Sequence, residues 1–311
     1  MGKPALSTSL LLICSLSLSS DSAKSAKIDN PDGKGDRIKS AKLGASATDS
    51  PMMYHGGPVM LGTIHLYYIW YGNWTGNTAQ TILTAFASSI GGSPYFAINS
   101  YYYQEPSPLQ FVSGAVQYQG STTDNYSQGM NLTDATVQTV VSSAIANGAL
   151  PRDTSGIYFV LTSPDVAETS GFCTTYCGWH NFGTISNSNI KYAFVGNSDR
   201  CPSACEDQTS VSPNGNTGAD AMASVIAHEL SEAATDPNLN AWYDGSTPPQ
   251  EIGDKCAWNF GATQTASNGS LYNVVLGSRQ YLIQQLWLVG GGCAMSVGFP
   301  APPRGVGLTV Q

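Results

Sequence analysis

The residues best placed to do chemistry concentrate in one stretch, Ala227-His228-Glu229-Leu230-Ser231-Glu232-Ala233-Ala234-Thr235-Asp236-Pro237. Met222, Ile226, Leu230 and Ala233 recur at helical spacing, so the stretch reads as part of a helix over residues 220–234. Residues four apart share a helix face, which places His228 and Glu232 to present an imidazole and a carboxylate to one metal ion. The pattern is the His-Glu-x-x-His zinc arrangement with Glu232 in place of the second histidine. A carboxylate oxygen binds Zn²⁺ at about the distance an imidazole does, roughly 2.0–2.2 Å, so the exchange leaves a workable but harder site. Glu229 falls beside the apolar stripe, where a partly desolvated carboxylate suits a general base, and it is the candidate catalytic residue.

A third ligand has to come from another segment. Glu251-Ile252-Gly253-Asp254-Lys255-Cys256 follows the helix closely, and Asp254 is the first choice from it, Glu251 the second. His180, in Cys177-Gly178-Trp179-His180, is an outside candidate, because a cysteine-anchored loop can bring its imidazole to the same cleft. Zn²⁺ is the cofactor these donors imply. A structural alternative buries His228 in a polar network, with Glu229 and Glu232 paired to Arg279 or Lys255. The Trp242-Tyr243 pair reads as an aromatic plug for the core, and His55 and His65 as packing or surface residues. The sequence contains no G-x-S-x-G elbow, P-loop or strand-linked dinucleotide fingerprint, which argues against a serine hydrolase or a nucleotide enzyme.

The elements that must position these groups alternate. Apolar and β-branched runs predict strands over 59–70, 111–118, 157–161 and 191–195, and 3.6-residue periodicity predicts helices over 78–90 and 133–147. A Cys/Gly-rich loop is expected over 171–183, and two further strands over 271–276 and 280–288. The order is that of an α/β (α+β) layered fold, zincin-like, with a mixed central sheet, an active-site helix and disulfide-tied loops.

The chain has 311 residues, 41% hydrophobic and 11% charged, and carries a net charge of −8. That composition excludes a disordered chain or a coiled coil. Lys3, the apolar run around residues 10–18 and small residues to Ala23 read as a signal peptide over residues 1–23. Residues 24–50 are polar and Gly/Ser/Lys-rich and read as a disordered leader or linker; residues 51–299 form a single globular domain and residues 300–311 a tail. Seven of the 13 Lys+Arg and five of the 21 Asp+Glu lie in residues 1–49, leaving 6 against 16, a charge of −10, on the remainder. An acidic domain is a poor partner for nucleic acid, and no stretch is long and apolar enough to span a membrane. Without Cys14, six cysteines remain, and export favours disulfides over a four-thiolate zinc site. Cys256 is expected to pair with Cys293, and the others within or between the two C-x-x-x-C loops. Asn73, Asn125, Asn131 and Asn268 each begin an Asn-x-Ser/Thr glycosylation sequon.

Several blocks together resemble the EXORDIUM, or phosphate-induced protein 1, family: His55-Gly56-Gly57-Pro58-Val59, Trp70-Tyr71-Gly72, Cys173 with Cys177-Gly178-Trp179-His180, His228-Glu229-Leu230-Ser231-Glu232, Asn240-Ala241-Trp242-Tyr243 and Glu251-Ile252-Gly253-Asp254-Lys255-Cys256. The resemblance covers about residues 54–295. It implies a secreted protein of the cell wall or apoplast, linked to growth and cell expansion, whose partners are an extracellular protein, a peptide or a wall component. The alternative is an active zinc-dependent extracellular endopeptidase with Glu229 as general base.

Overall fold

The computed structural model describes residues 1–2, 31, 33–34, 37–39 and 50–297. Apart from Met1 and Gly2, the expected signal peptide lies outside the described residues, as does the tail.

A five-stranded sheet organises the domain. Its strands are β1 (Ile64–Tyr71), β2 (Val116–Asp124), β3 (Gly156–Thr162), β4 (Gly178–Ile185) and β5 (Ser188–Val195), in the spatial order β2-β1-β3-β5-β4. Every neighbouring pair is parallel except β4 with β5, so the antiparallel strand is also an edge. Helices α1 (Ala79–Ala87), α2 (Asp134–Ala146) and α3 (Thr217–Thr235) cover the sheet. β3 is buried at every residue, as expected of a parallel strand with helices on both faces.

Glycines reveal which helix lies on which face. A Cβ added at Gly178 would meet Val225 and Glu229 of α3, while one at Gly183 would meet Gln138 of α2. The two glycines are an odd number of residues apart on β4, so α2 and α3 lie on opposite faces of the sheet. His180, two residues after Gly178, therefore projects to the α3 side. α1 packs against α3 on that same side.

Several boundaries differ from the sequence reading. β1 starts at Ile64, because residues 58–63 turn through Gly62 at φ +71°. The strand expected over 111–118 runs over Val116–Asp124, and its exposed positions Gln117, Gln119, Ser121 and Thr123 alternate with more buried ones along an edge. The second half of the expected Cys/Gly loop is strand β4. In place of two long strands near the C-terminal end, short ladders join Gln264–Thr265 to Leu271–Tyr272, Val274–Leu276 to Arg279–Tyr281, and Leu286–Trp287 to Cys293–Ala294. α2 is capped at both ends: the Thr133 side chain accepts from Thr136 N–H, and Gly148 follows at φ +71°.

Disulfides tie the loops to this frame. Cys173–Cys201 and Cys177–Cys205 run in parallel between the entry to β4 and the β5–α3 connection, and Cys256–Cys293 closes the C-terminal loops. Leader residues also contribute. Pro31 and Gly33 are buried, and Lys34 pairs with Asp134 of α2 at 2.7 Å. Composition gives these residues no core of their own, and the contacts they make are with the domain surface.

Candidate metal centre

α3 begins three residues before the reading from periodicity, with the Asn216 side chain accepting from Ala219 N–H. Gly218 looks like a breaker in sequence, but a Cβ there would lie 2.5 Å from the Asp199 carboxylate, so the helix needs glycine at that point. From Gly218 to Thr235 every residue is buried, and the polar face of the helix consequently points into the protein.

On that face His228 Nε2 stands 3.0 Å from Glu232 Oε1, one helical turn on. Glu232 Oε1 also accepts the backbone N–H groups of Gly253 at 3.2 Å and Asp254 at 3.1 Å, which clamps the 251–254 segment over the helix. The clamp requires Gly253, because a Cβ there would fall 2.7–2.8 Å from atoms of the His228 ring. Asp254 Oδ1 lies 3.8 Å from His228 Nε2, and Asp254 Oδ2 accepts from Glu251 N–H at 3.0 Å. β4 brings His180 to the other side, with Nε2 at 3.2 Å from Glu251 Oε1 and 3.9 Å from Glu232 Oε2. The five residues proposed as metal ligands from sequence thus converge, in two triads that share Glu232: His228, Glu232 and Asp254, and His180, Glu232 and Glu251. Within each triad the donor atoms lie within 4.8 Å of one another. His180, the outside candidate, is as central as Glu251.

Glu229 is fully buried between α3 and β4, its Oε1 facing Gly178. Asp236 closes the helix, its Oδ1 accepting from Asn240 N–H at 2.6 Å and Ala241 N–H at 2.7 Å. The structural alternative named Arg279 and Lys255 as partners of Glu229 and Glu232. Arg279 donates to Asn214 Oδ1, and Lys255 is held by Asp244 at 2.8 Å. Trp242 is a plug, ringed by Tyr54, Tyr102 and Tyr103 and donating to Tyr103 O at 2.7 Å. His55 stacks on Tyr243, and His65 pairs with Asp153.

The electrostatics of the cluster are lopsided. Glu229, Glu232, Asp236, Glu251 and Asp254 are five buried carboxylates facing two buried imidazoles. Burial pushes Glu251 well above the usual carboxylate range, with repulsion from Glu232, Asp236, Asp254 and Glu229 adding to it. Burial, then the Glu232 charge, moves Asp254 up to about 7, against the pull of His228 and Arg37. Asp236 likewise rises to about 7, mainly through burial. Burial also acts to raise Glu232, but the His228 imidazole, followed by His180, outweighs it and holds this carboxyl below its ordinary value. Among the described residues, five ionised carboxylates would outnumber two protonated imidazoles, an excess that protons, the nearby Arg37 charge and a bound cation would each reduce.

The donor set fits a divalent ion of borderline softness. Glu232 Oε2 is buried and makes no hydrogen bond among the described residues, although it sits between two imidazole-bearing triads. Tetrahedral ligands at about 2.0–2.2 Å from zinc stand roughly 3.3–3.6 Å apart, and the four imidazole–carboxylate separations of 3.0–3.9 Å bracket that figure. Sequence reading did not single out Gly253, Gly178 or Arg37. The two glycines carried a signal, each lying within two residues of a proposed ligand, whereas Arg37 carried none.

The family model described as the phosphate-induced protein 1 conserved region matches residues 52–291. EXORDIUM-like 3 of Arabidopsis thaliana is 35% identical over 284 residues, covering 80% of this chain and 83% of the relative. EXORDIUM-like 5 of the same plant is 33% identical, covering 80% and 78%. PHOSPHATE-INDUCED 1 of Nicotiana tabacum is 28% identical, covering 66% and 71%. No solved structure matches the chain. With the family model spanning the whole sheet, α3 and the 251–254 segment, the chain belongs to the phosphate-induced protein 1, or EXORDIUM, family.

Proposed function

We propose that this chain is a secreted EXORDIUM-like protein of the extracellular space, the apoplast or cell wall in a plant, and that it carries a zinc centre on a zincin-like framework. In this reading it acts in growth or cell expansion through an extracellular protein, peptide or wall component. The observation that carries the metal assignment is the shared carboxylate Glu232, whose buried Oε2 makes no hydrogen bond among the described residues and lies 3.9 Å from His180 Nε2. His228, Glu232 and Asp254 would hold the ion, with Glu251 and His180 as the second group on the same carboxylate. The strand order with one antiparallel edge beside α3 supports zincin-like layering. Three disulfides among the described residues support export, and all four sequon asparagines are exposed, as glycosylation requires. Elemental analysis of the purified, tag-free full chain tests the metal assignment. About one equivalent of zinc is expected, and less than about a tenth of an equivalent of any transition metal would overturn it.

A second reading, a zinc-dependent endopeptidase, rests on Glu229 as the candidate general base, buried between α3 and β4. Zinc held there would polarise a peptide carbonyl and lower the pKa of bound water. Glu229 would take the proton from that water and pass it to the departing amine. Glu229→Gln separates the readings: for a peptidase it abolishes cleavage of a casein substrate while zinc content stays at one equivalent, and for a binding protein it leaves growth-promoting activity intact.

A further inference from the structure

The two imidazoles of the cluster face different oxygens of Glu232. His228 Nε2 lies 3.0 Å from Oε1, whereas His180 Nε2 lies 3.9 Å from Oε2. Each imidazole also has a carboxylate of its own. Asp254 Oδ1 is 3.8 Å from His228 Nε2, and both Glu251 oxygens stand close to His180 Nε2, at 3.2 and 3.3 Å. The two sets therefore match in composition: one imidazole, one private carboxylate and one share of Glu232. Among the described residues, no group of three or more donors lying within 4.8 Å of one another contains both imidazoles. A single ion in either set is thus out of reach of the other imidazole.

The main chain keeps the sets apart. Glu251 N–H donates to Asp254 Oδ2 at 3.0 Å, which leaves Oδ1 on the His228 side. Glu232 Oε1 accepts from Gly253 N–H at 3.2 Å and Asp254 N–H at 3.1 Å, while Oε2 makes no hydrogen bond among the described residues. His180 belongs to β4 and His228 to α3, so the carboxylate of Glu232 stands between a strand and a helix. Charge points the same way. With the five buried carboxylates ionised and the imidazoles neutral, one divalent ion leaves an excess of three negative charges and two ions leave an excess of one.

We propose that the cluster is a two-ion centre: a second divalent cation binds between His180, Glu251 and Glu232 Oε2, and Glu232 bridges it to the ion held by His228, Glu232 Oε1 and Asp254. The first ion is the zinc of the proposed function, and the second rests on that assignment. In two-metal sites the ions stand about 3.5–4 Å apart, close enough for two dications to repel strongly. The second site also draws its ligands from three segments, β4, α3 and residues 251–254, whereas His228 and Glu232 are preset one helical turn apart. The sites are consequently unequal. The first keeps about one equivalent of zinc through purification, and the second loads only when zinc is supplied.

The test is equilibrium dialysis of the purified full chain against Zn²⁺ at a series of free concentrations, with bound metal read by elemental analysis. Two equivalents are expected at saturation, the second with a dissociation constant at least about tenfold above the first. His180→Asn should stop at one equivalent and keep the tight phase. Asp254→Asn should weaken the tight phase at least about tenfold. Glu232→Gln should weaken both phases, a result that two sites with no common ligand would not give. Saturation of the unaltered chain at one equivalent overturns the second site and leaves the zinc assignment standing. Saturation below about a tenth of an equivalent overturns both. Two full equivalents in His180→Asn overturn the ligand set, and a Glu232→Gln effect confined to one phase overturns the bridge. The stoichiometry of the unaltered chain decides the proposal even where a variant does not fold.

Discussion

At the scale of single residues, the protein concentrates charge where water does not reach. Lys255 and Asp244 form a pair 2.8 Å long with both side chains almost wholly buried, and the ammonium also lies 4.5 Å from the Trp287 ring centroid. Burial acts to raise Asp244, but Lys255 and the Ser246 and Gln250 hydrogen bonds hold it below its ordinary value. Lys255→Met removes the ammonium from that carboxylate and should cost about 3–5 kcal/mol, read from urea unfolding. Glu206 is the opposite case. It is 1% exposed, and burial together with Asp199 pushes it up to about 7. A carboxyl raised in this way stabilises the fold fully below its unfolded pKa of about 4.3 and loses that contribution as pH rises through 7. Glu206→Gln mimics the neutral form, so its melting temperature should match that of the parent near pH 4 and exceed it by several degrees at pH 8. Gly253→Ala should weaken zinc binding at least about tenfold by competition with a chelator, because it displaces either the His228 ring or the clamp that orients Asp254. The pairing of His228 with Glu232 was legible in the sequence because helical spacing is local. His180 was read only as an outside candidate on a loop, because its place on β4 depends on which face of a strand it shares with Gly178.

At the scale of elements, the parallel disulfides turn two loops into one ladder. With Cys173–Cys201 intact, Cys177–Cys205 closes only a small ring, and either bridge alone closes a loop of 28 residues in sequence separation. Removing either should therefore cost roughly 2–3 kcal/mol, and removing both roughly twice that, since the larger ring then opens as well. Thermal unfolding of the single and double Cys→Ala pairs checks the ordering. α1, α2 and the central strands could be read in sequence because their burial is one-sided or complete and the apolar period shows it. β4 could not, because its flanking cysteines and its two glycines imitate a loop. Gly178 is small because α3 passes beneath it, and Gly183 because Gln138 does. β2 was misplaced for a related reason: only the half of an edge strand that faces the core is apolar, and the polar half from Gln119 onward resembles a turn.

At the scale of the whole molecule, layers, bridges and leader meet at one place. α3, β4 and the 251–254 segment are distant in sequence and contribute to a single buried cluster, so a ligand that binds the cluster reports on the entire fold. Zinc at a hundredfold excess over its dissociation constant should stabilise the full chain by about 2.7 kcal/mol, and chelation should reverse the gain. A melting temperature indifferent to both would separate the cluster from metal binding. The family and the mixed α/β framework were legible because blocks of residues keep their order along the chain. The contact of Gly33 with His180 was not, because it is a backbone hydrogen bond that any small residue could make.

Trp258 lies at the contact between leader and domain, its indole N–H given to Arg37 O and its ring 5.9 Å from Lys39 Nζ. An indole that loses a short hydrogen bond and a neighbouring cation changes the colour and yield of its emission. The protein therefore carries its own optical gauge: departure of the leader should be readable in real time from native fluorescence, and Trp258→Phe should silence that signal without disturbing the helix that holds the cluster.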